Sequence, residues 1–202
     1  MTENKSILHK GKRYNDFSTH FRKIFNGRVQ KISINAGFTC PNRDGVRGIG
    51  GCTYCNNKTF QPSYCDLKNT LKIQLDEGIV FFSKKYDTMR FLAYFQGFSN
   101  TYAPIEVLKQ LFEEAIQHPK IIGLVIATRP DCLGDEVLEL LEELSKKCYV
   151  MVELGIESVK DETLKRINRG HSWEESVRAL TETNRRGIHN CAHLMLGLPG
   201  EN

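Results

Sequence analysis

The sequence predicts an α/β protein whose strands form one parallel sheet. Short apolar runs alternate along the chain with longer stretches that are apolar at helical spacing. Several of the short runs are nearly continuous in apolar residues, as strands covered on both faces are. Polar and glycine-rich segments also gather directly after the strands. That is the edge at which parallel α/β folds and barrels bind ligands.

The elements follow in order. Residues 1–31 carry eight Lys or Arg against two acids, a net of +6, which leaves −2 for the rest of a chain of net charge +4. Phe17, Phe21 and Phe25 fall at i, i+4 and i+8, a helical stripe suited to packing on the main domain. The same basic, aromatic segment is also suited to meeting phosphate and stacking bases. Residues 31–38 (KISINAGF) read as a strand running into a cysteine-bearing loop, and residues 67–84 as a helix. Arg90–Phe95 (RFLAYF) is a buried strand ending at Gln96-Gly97. A helix from Pro104 to Gln117 follows, with Ile105, Leu108, Leu111, Phe112 and Ile116 on one face.

Ile121–Thr128 is the next buried strand, stopped by Arg129-Pro130. Asp135 is expected to cap a helix whose stripe is Val137, Leu138, Leu141 and Leu144. Tyr149–Ile156 is a fourth strand, and Ser172-Trp173-Glu174-Glu175 a capping box opening a helix to about Arg186. A fifth strand, near Asn190–Leu196, ends in Gly197-Leu198-Pro199-Gly200. This alternation means βα units with right-handed crossovers. The closing GLPGEN reads as the loop before a further helix, so the expectation is a C-terminally incomplete sheet with an unpaired edge.

Composition narrows the function classes. No apolar run approaches the length of a bilayer span, and the N-terminus has no apolar signal core. Seven cysteines without such a signal indicate a reducing compartment, and the chain reads as cytoplasmic with no membrane partner. Three of those cysteines, Cys40, Cys52 and Cys55, share one segment, CPNRDGVRGIGGCTYC. A structural zinc site closes four ligands around its ion. An iron–sulfur cube held by three thiolates leaves one iron open to bind and activate another molecule. Cys65, ten residues past Cys55, offers a fourth thiol for zinc. From the cysteines alone an open cluster, a zinc site and a metal-free loop all remain. Cys132, Cys148 and Cys191 read as small buried hydrophobes.

The motif series resembles the radical S-adenosylmethionine (SAM) superfamily, and more narrowly the bacterial branch similar to the core of the elongator catalytic subunit. The residues carrying this are NAGFTCPNRDG…GGCTYCN, YFQGFSNTYAP, IATRPDCL, VELGIESVKDETLKRINRGH and HLMLGLPGE, in that order. The resemblance implies a partial (β/α)6 TIM-like barrel, truncated after the fifth strand. Residues 30–202 would form its C-terminally incomplete core and residues 1–29 a basic extension packing on it. It implies a [4Fe–4S] cluster on Cys40, Cys52 and Cys55, although eleven residues here replace the usual three between the first two cysteines. It also implies bound SAM and a reducing electron donor.

Carried over by position, Tyr54 would lie beside the adenine and Gln96-Gly97 near the methionine amino group, with only Gly97 matching the usual glycine pair. Glu157 would meet the ribose hydroxyls, where a carboxylate accepts from two donors. Arg169 would pair with the methionine carboxylate through its planar fork. Arg129 lies at the same edge as a further contact. The rival expectations are that Glu157 caps the next helix, Arg169 is a surface charge, and His193 is a satisfied core histidine. His118 and His189 give no case for metal binding. The implied function is reductive cleavage of SAM to a 5′-deoxyadenosyl radical for hydrogen abstraction, with RNA or tRNA as one substrate class and a porphyrinogen as another. The alternative is a zinc-stabilised nucleic-acid-binding module without redox chemistry.

Overall fold

A computed structural model describes residues 13–14, 16–85 and 89–201. Of the basic extension, residues 1–12 and Asn15 lie outside this set. The strands β1 (Val29–Ile34), β2 (Arg90–Phe95), β3 (Ile121–Thr128), β4 (Tyr149–Glu157) and β5 (His189–Leu194) form one parallel sheet in chain order. Each crossover therefore steps one strand onward, the arrangement of an unclosed barrel wall. α1 (Phe17–Phe25) precedes the sheet. α2 (Leu71–Ser83), α3 (Ile105–Gln117), α4 (Asp135–Ser145), α5 (Asp161–Arg166) and α6 (Trp173–Arg185) lie in the crossovers.

The two faces of the sheet are covered differently. On the outer face Ile32, Phe95, Leu124, Ile126 and Val152 pack with Leu75, Leu108, Phe112, Leu138 and Leu141 from the crossover helices. On the inner face Leu92, Tyr94, Val125 and Met151 pack with Phe21, and Phe17, Phe25 and Tyr149 border them. Phe21 is 3% exposed, so the Phe17/21/25 stripe covers the core rather than presenting rings to solvent. Asp16 caps α1 through Thr19 N, 2.9 Å away, and Arg90 Nη1 donates to Phe25 O at 2.9 Å, tying both ends of that helix.

Several expected boundaries move for local reasons. β1 starts at Val29 and ends at Ile34, because Asn35 N and O bond the buried Gln74 side chain instead of a neighbouring strand. α2 starts at Leu71 because Thr70 caps it, accepting from Ile73 N. Asp135 is the first residue of α4, not its cap; Gly134 holds that position with no side-chain bond. Pro104 likewise is the cap of α3 rather than within it. The Ser172 capping box forms as expected, with Ser172 Oγ accepting from Glu175 N and Glu175 Oε2 from Ser172 N. The helix expected after Glu157 is the short α5, and it carries the loop that delivers Arg169.

Candidate functional site

The site is built at the C-terminal ends of the strands. After β1 the chain enters the cysteine loop, and the eleven residues separating Cys40 from Cys52 close on themselves. Asp44 and Ile49 form an antiparallel bridge, Arg47 N donates to Pro41 O at 2.7 Å, and Gly51 N donates to Asn42 O at 2.8 Å. The insertion is thus a hairpin whose two ends meet, which returns the chain to Cys40 before Cys52. Cys55 N then bonds Cys52 O at 2.9 Å, so the last two cysteines share one turn.

Cys40, Cys52 and Cys55 line a single cavity of about 750 Å³ together with Tyr54, Gln96, Glu157 and Arg169. The structure therefore brings seven of the eight expected site residues to one cavity. Gly97, the eighth, is not among the lining residues, while its neighbour Gln96 is, with its side-chain oxygen 3.3 Å from Ser33 Oγ. A second depression of about 500 Å³ near Thr101, Pro104 and Val137 carries no such set of donors.

Glu157 and Arg169 have the surroundings of site residues. The pairing of β4 with β5 shifts register between Gly155 and Glu157, and Glu157 sits at φ +70°. Such a bulge bends the strand and re-aims the side chain. Glu157 does not cap α5, whose cap is Lys160. Arg169 is buried. Its Nη2 donates to Gly155 O at 2.5 Å and lies 3.8 Å from Glu157 Oε1, and its Nη1 is 3.5 Å from Cys52 Sγ. Its Nε is buried without an acceptor among the described residues. Gly155 makes this possible by leaving space, since a Cβ there would lie 2.7 Å from both Arg169 Nη2 and Glu157 Oε1.

The donor set fits an iron–sulfur cluster. Asn42 Nδ2 lies 3.6 Å from Cys52 Sγ, beside the Arg169 contact; Arg43 Nη1 at 3.5 Å and Asn57 Nδ2 at 3.7 Å approach Cys55 Sγ. Four N–H donors aimed at two sulfurs suit anionic thiolates, and hydrogen bonds to cluster sulfur tune its potential. Among the described residues no three His, Cys, Asp or Glu side chains converge on one metal-ion position. Cys65 is elsewhere, buried on the outer face with its Sγ donating to Ser33 O at 3.0 Å, and burial pushes its thiol up to about 12. The four-cysteine zinc arrangement therefore loses its fourth ligand.

Beneath the cavity lies a polar layer that the sequence motifs did not reveal. Glu153, 2% exposed, accepts from Lys31 Nζ at 2.8 Å and from Tyr94 Oη at 2.6 Å. His193 Nε2 lies 3.6 Å from the same carboxylate. Burial, then Glu153, raises the Tyr94 phenol, and burial raises that of Tyr54 against the pull of Arg169, so both hydroxyls stay available as donors. His193 is half exposed and lines the cavity, so it is no satisfied core histidine; a β5 position in step with the lumen-facing Cys191 was the available signal. His118 pairs with Asp76 at 3.0 Å and His189 stacks on Tyr149 at 4.8 Å, both away from the cavity. No helix among the described residues is long and apolar enough to cross a membrane.

Comparison with known proteins places this geometry. Residues 35–202 match the family model of the radical SAM superfamily. The protein YtqA of Bacillus subtilis is 37% identical over 201 residues, covering 94% of this chain and 59% of its own length. The chain thus spans about three-fifths of that relative. The tRNA uridine(34) acetyltransferase of Methanocaldococcus infernus is 37% identical over 92 residues, 45% of this chain and 16% of that protein. Among solved structures, the archaeal Methanocaldococcus infernus Elp3 with an N-terminal deletion superimposes with a TM-score of 0.59 at 22% identity, covering 86% of this chain and 39% of its own. That last likeness is one of fold.

Proposed function

Because the chain belongs to the radical SAM superfamily, we propose that it holds a [4Fe–4S] cluster on Cys40, Cys52 and Cys55 and cleaves SAM there. When bound, the cluster supplies the electron that splits SAM into methionine and a 5′-deoxyadenosyl radical able to take hydrogen from a substrate. The observation that supports this reading is the shared cavity: three thiols line it together with Tyr54, Gln96, Glu157 and Arg169. A cluster held by only these three protein thiolates would leave a position open for the amino and carboxylate groups of SAM.

The protein's own residues have separable roles. Arg169 pairs the methionine carboxylate, a planar cation meeting a planar anion. Glu157 accepts from the ribose hydroxyls, Tyr54 packs beside the adenine, and Gln96 offers its amide near the methionine amino group. Asn42, Arg43 and Asn57 donate toward the cysteine sulfurs and stabilise their charge. The plug of α1 aromatics closes the inner face below and keeps water from entering by that side. An RNA substrate is the class we carry forward, supported by the partial likeness to a tRNA-modifying enzyme.

The test is anaerobic reconstitution with iron and sulfide, reduction by dithionite, addition of SAM, and chromatography for 5′-deoxyadenosine. Product from the wild type that vanishes in Cys55→Ala is the expected result. A protein that loads one zinc and no iron, or retains its cluster in each of Cys40→Ala, Cys52→Ala and Cys55→Ala, would overturn the reading.

A further inference from the structure

Three consecutive backbone carbonyls follow α5, and each is held from another part of the chain. Ile167 O accepts from Thr53 N at 3.0 Å, Asn168 O from Asn42 Nδ2 at 2.5 Å, and Arg169 O from Arg129 Nη1 at 2.7 Å. The first two donors belong to the cysteine loop and the third to the edge just past β3. Asn168 Nδ2 answers by donating to Gly51 O at 2.8 Å. Gly170 completes the clasp at φ +76°, where a Cβ would lie 2.6 Å from Asn42 Oδ1 and 3.5 Å from Arg129 Nη2. Only glycine adopts that backbone without strain and leaves the approach open.

Arg129 is the buried member of this clasp, 2% exposed although it borders the cavity. Asp131, whose side chain is 1% exposed, accepts from its Nε at 2.9 Å and its Nη2 at 3.0 Å, and Arg47 Nε lies 3.6 Å from the same carboxylate. This two-point pair neutralises Arg129 and uses the face that would otherwise grip an anion. Its remaining bond goes to a backbone oxygen. Buried ion pairs contribute little net stability relative to apolar packing of the same volume. Holding the fold together is therefore a poor account of why this one is present, and holding one backbone oxygen in place is a better one.

We infer that Arg129 is a positioning residue: locked by Asp131, it fixes the backbone of Arg169 and thereby the guanidinium that receives the SAM carboxylate. The inference rests on the reading of Arg169 given above. It differs from a direct contact, because the charge of Arg129 is already spent on Asp131. It also explains why the cysteine loop and the arginine loop are bonded to each other, so that cluster and carboxylate sites keep one spacing.

The test uses the whole chain, reconstituted anaerobically. Arg129→Lys keeps a cation for Asp131 but loses the fork that reaches the Arg169 carbonyl. The electron paramagnetic resonance spectrum of the reduced cluster is titrated with SAM, and KM and kcat for 5′-deoxyadenosine are measured in parallel. The expected result is a rise of about tenfold in the titration midpoint and in KM, the effect of losing one charge-assisted hydrogen bond. Iron content stays at the wild-type value and kcat stays within about twofold, while the thermal midpoint falls because a buried carbonyl loses its donor. Asp131→Asn, which frees Arg129 without removing it, shifts the midpoint in the same direction. A wild-type midpoint in Arg129→Lys overturns the inference. So does an Arg129→Lys protein that cannot take up iron, because the role would then be retention of the cysteine loop. A wild-type spectrum that SAM does not alter defeats the parent reading and this inference with it, and is seen before any variant is compared.

Discussion

His171 makes the stability of this protein depend on pH in a way that can be worked out in advance. Its ring is buried beside the clasp, and neither nitrogen makes a hydrogen bond of good geometry among the described residues, although the Ile156 backbone lies close enough to offset a little of the burial. Burial first, then the charges of Arg169, Arg129 and Arg47, push its pKa from 6.5 down to about 3. In the unfolded chain the imidazole titrates at its ordinary value. Between those two values the unfolded chain binds a proton that the folded one refuses, so stability rises with pH across that window. The contribution is complete above pH 6.5 and is lost progressively toward pH 3. At about pH 5 the gap is roughly 1.5 pKa units, or about 2 kcal/mol. His171→Leu removes the titrating group and keeps an apolar body of similar size. Urea unfolding of both proteins, in the same metal state, is compared at about pH 7.5 and about pH 5. The wild type should lose about 2 kcal/mol more than the variant over that interval. Other titrating groups are common to both and cancel in the difference. Equal losses would refute the argument, showing that the ring is hydrated or hydrogen-bonded in solution.

Gly155→Ala places a methyl against Arg169 Nη2 and Glu157 Oε1; it should weaken SAM binding in the spectroscopic titration and destabilise the fold by about 1–3 kcal/mol. An unshifted titration would show that the two side chains are not held there. Phe21→Ala empties the inner-face plug and should lower stability by about 3–5 kcal/mol in urea unfolding, whereas a loss below about 1 kcal/mol would mean α1 does not pack on the sheet in solution. Cys65→Ser should leave iron loading unchanged, since its thiol is bonded to Ser33 O on the outer face, and loss of iron in this variant would return Cys65 to the ligand set.

Much of the fold was readable because its signals are local. The apolar runs at Arg90–Phe95 and Ile121–Thr128 coincide with β2 and β3, and the Ser172 box caps α6 through bonds spanning three residues. The Phe17/21/25 stripe specified a helix, but only packing decided that it covers the inner face. Asp135 misled because a capping residue and a first-turn acid look alike in sequence; the backbone of Gly134 decided between them. α5 is six residues long, too short for a periodic signal.

The site divides along the same line. The types and order of Cys40, Cys52, Cys55, Glu157 and Arg169 are a property of the sequence, since motif spacing survives without coordinates. Whether an eleven-residue insertion still delivers Cys40 depended on a hairpin closed by bonds between residues up to nine apart. The partners of Arg129 and Glu153 lie farther off: Arg129 meets Arg169 across forty positions, and Glu153 meets Lys31 across 122. A sequence orders chemistry along one dimension, and each strand carries only its own face of the sheet. The lumen is where faces from five strands meet, so the Lys31–Glu153–Tyr94 layer and the clasp around Arg169 exist only once the tertiary structure has formed.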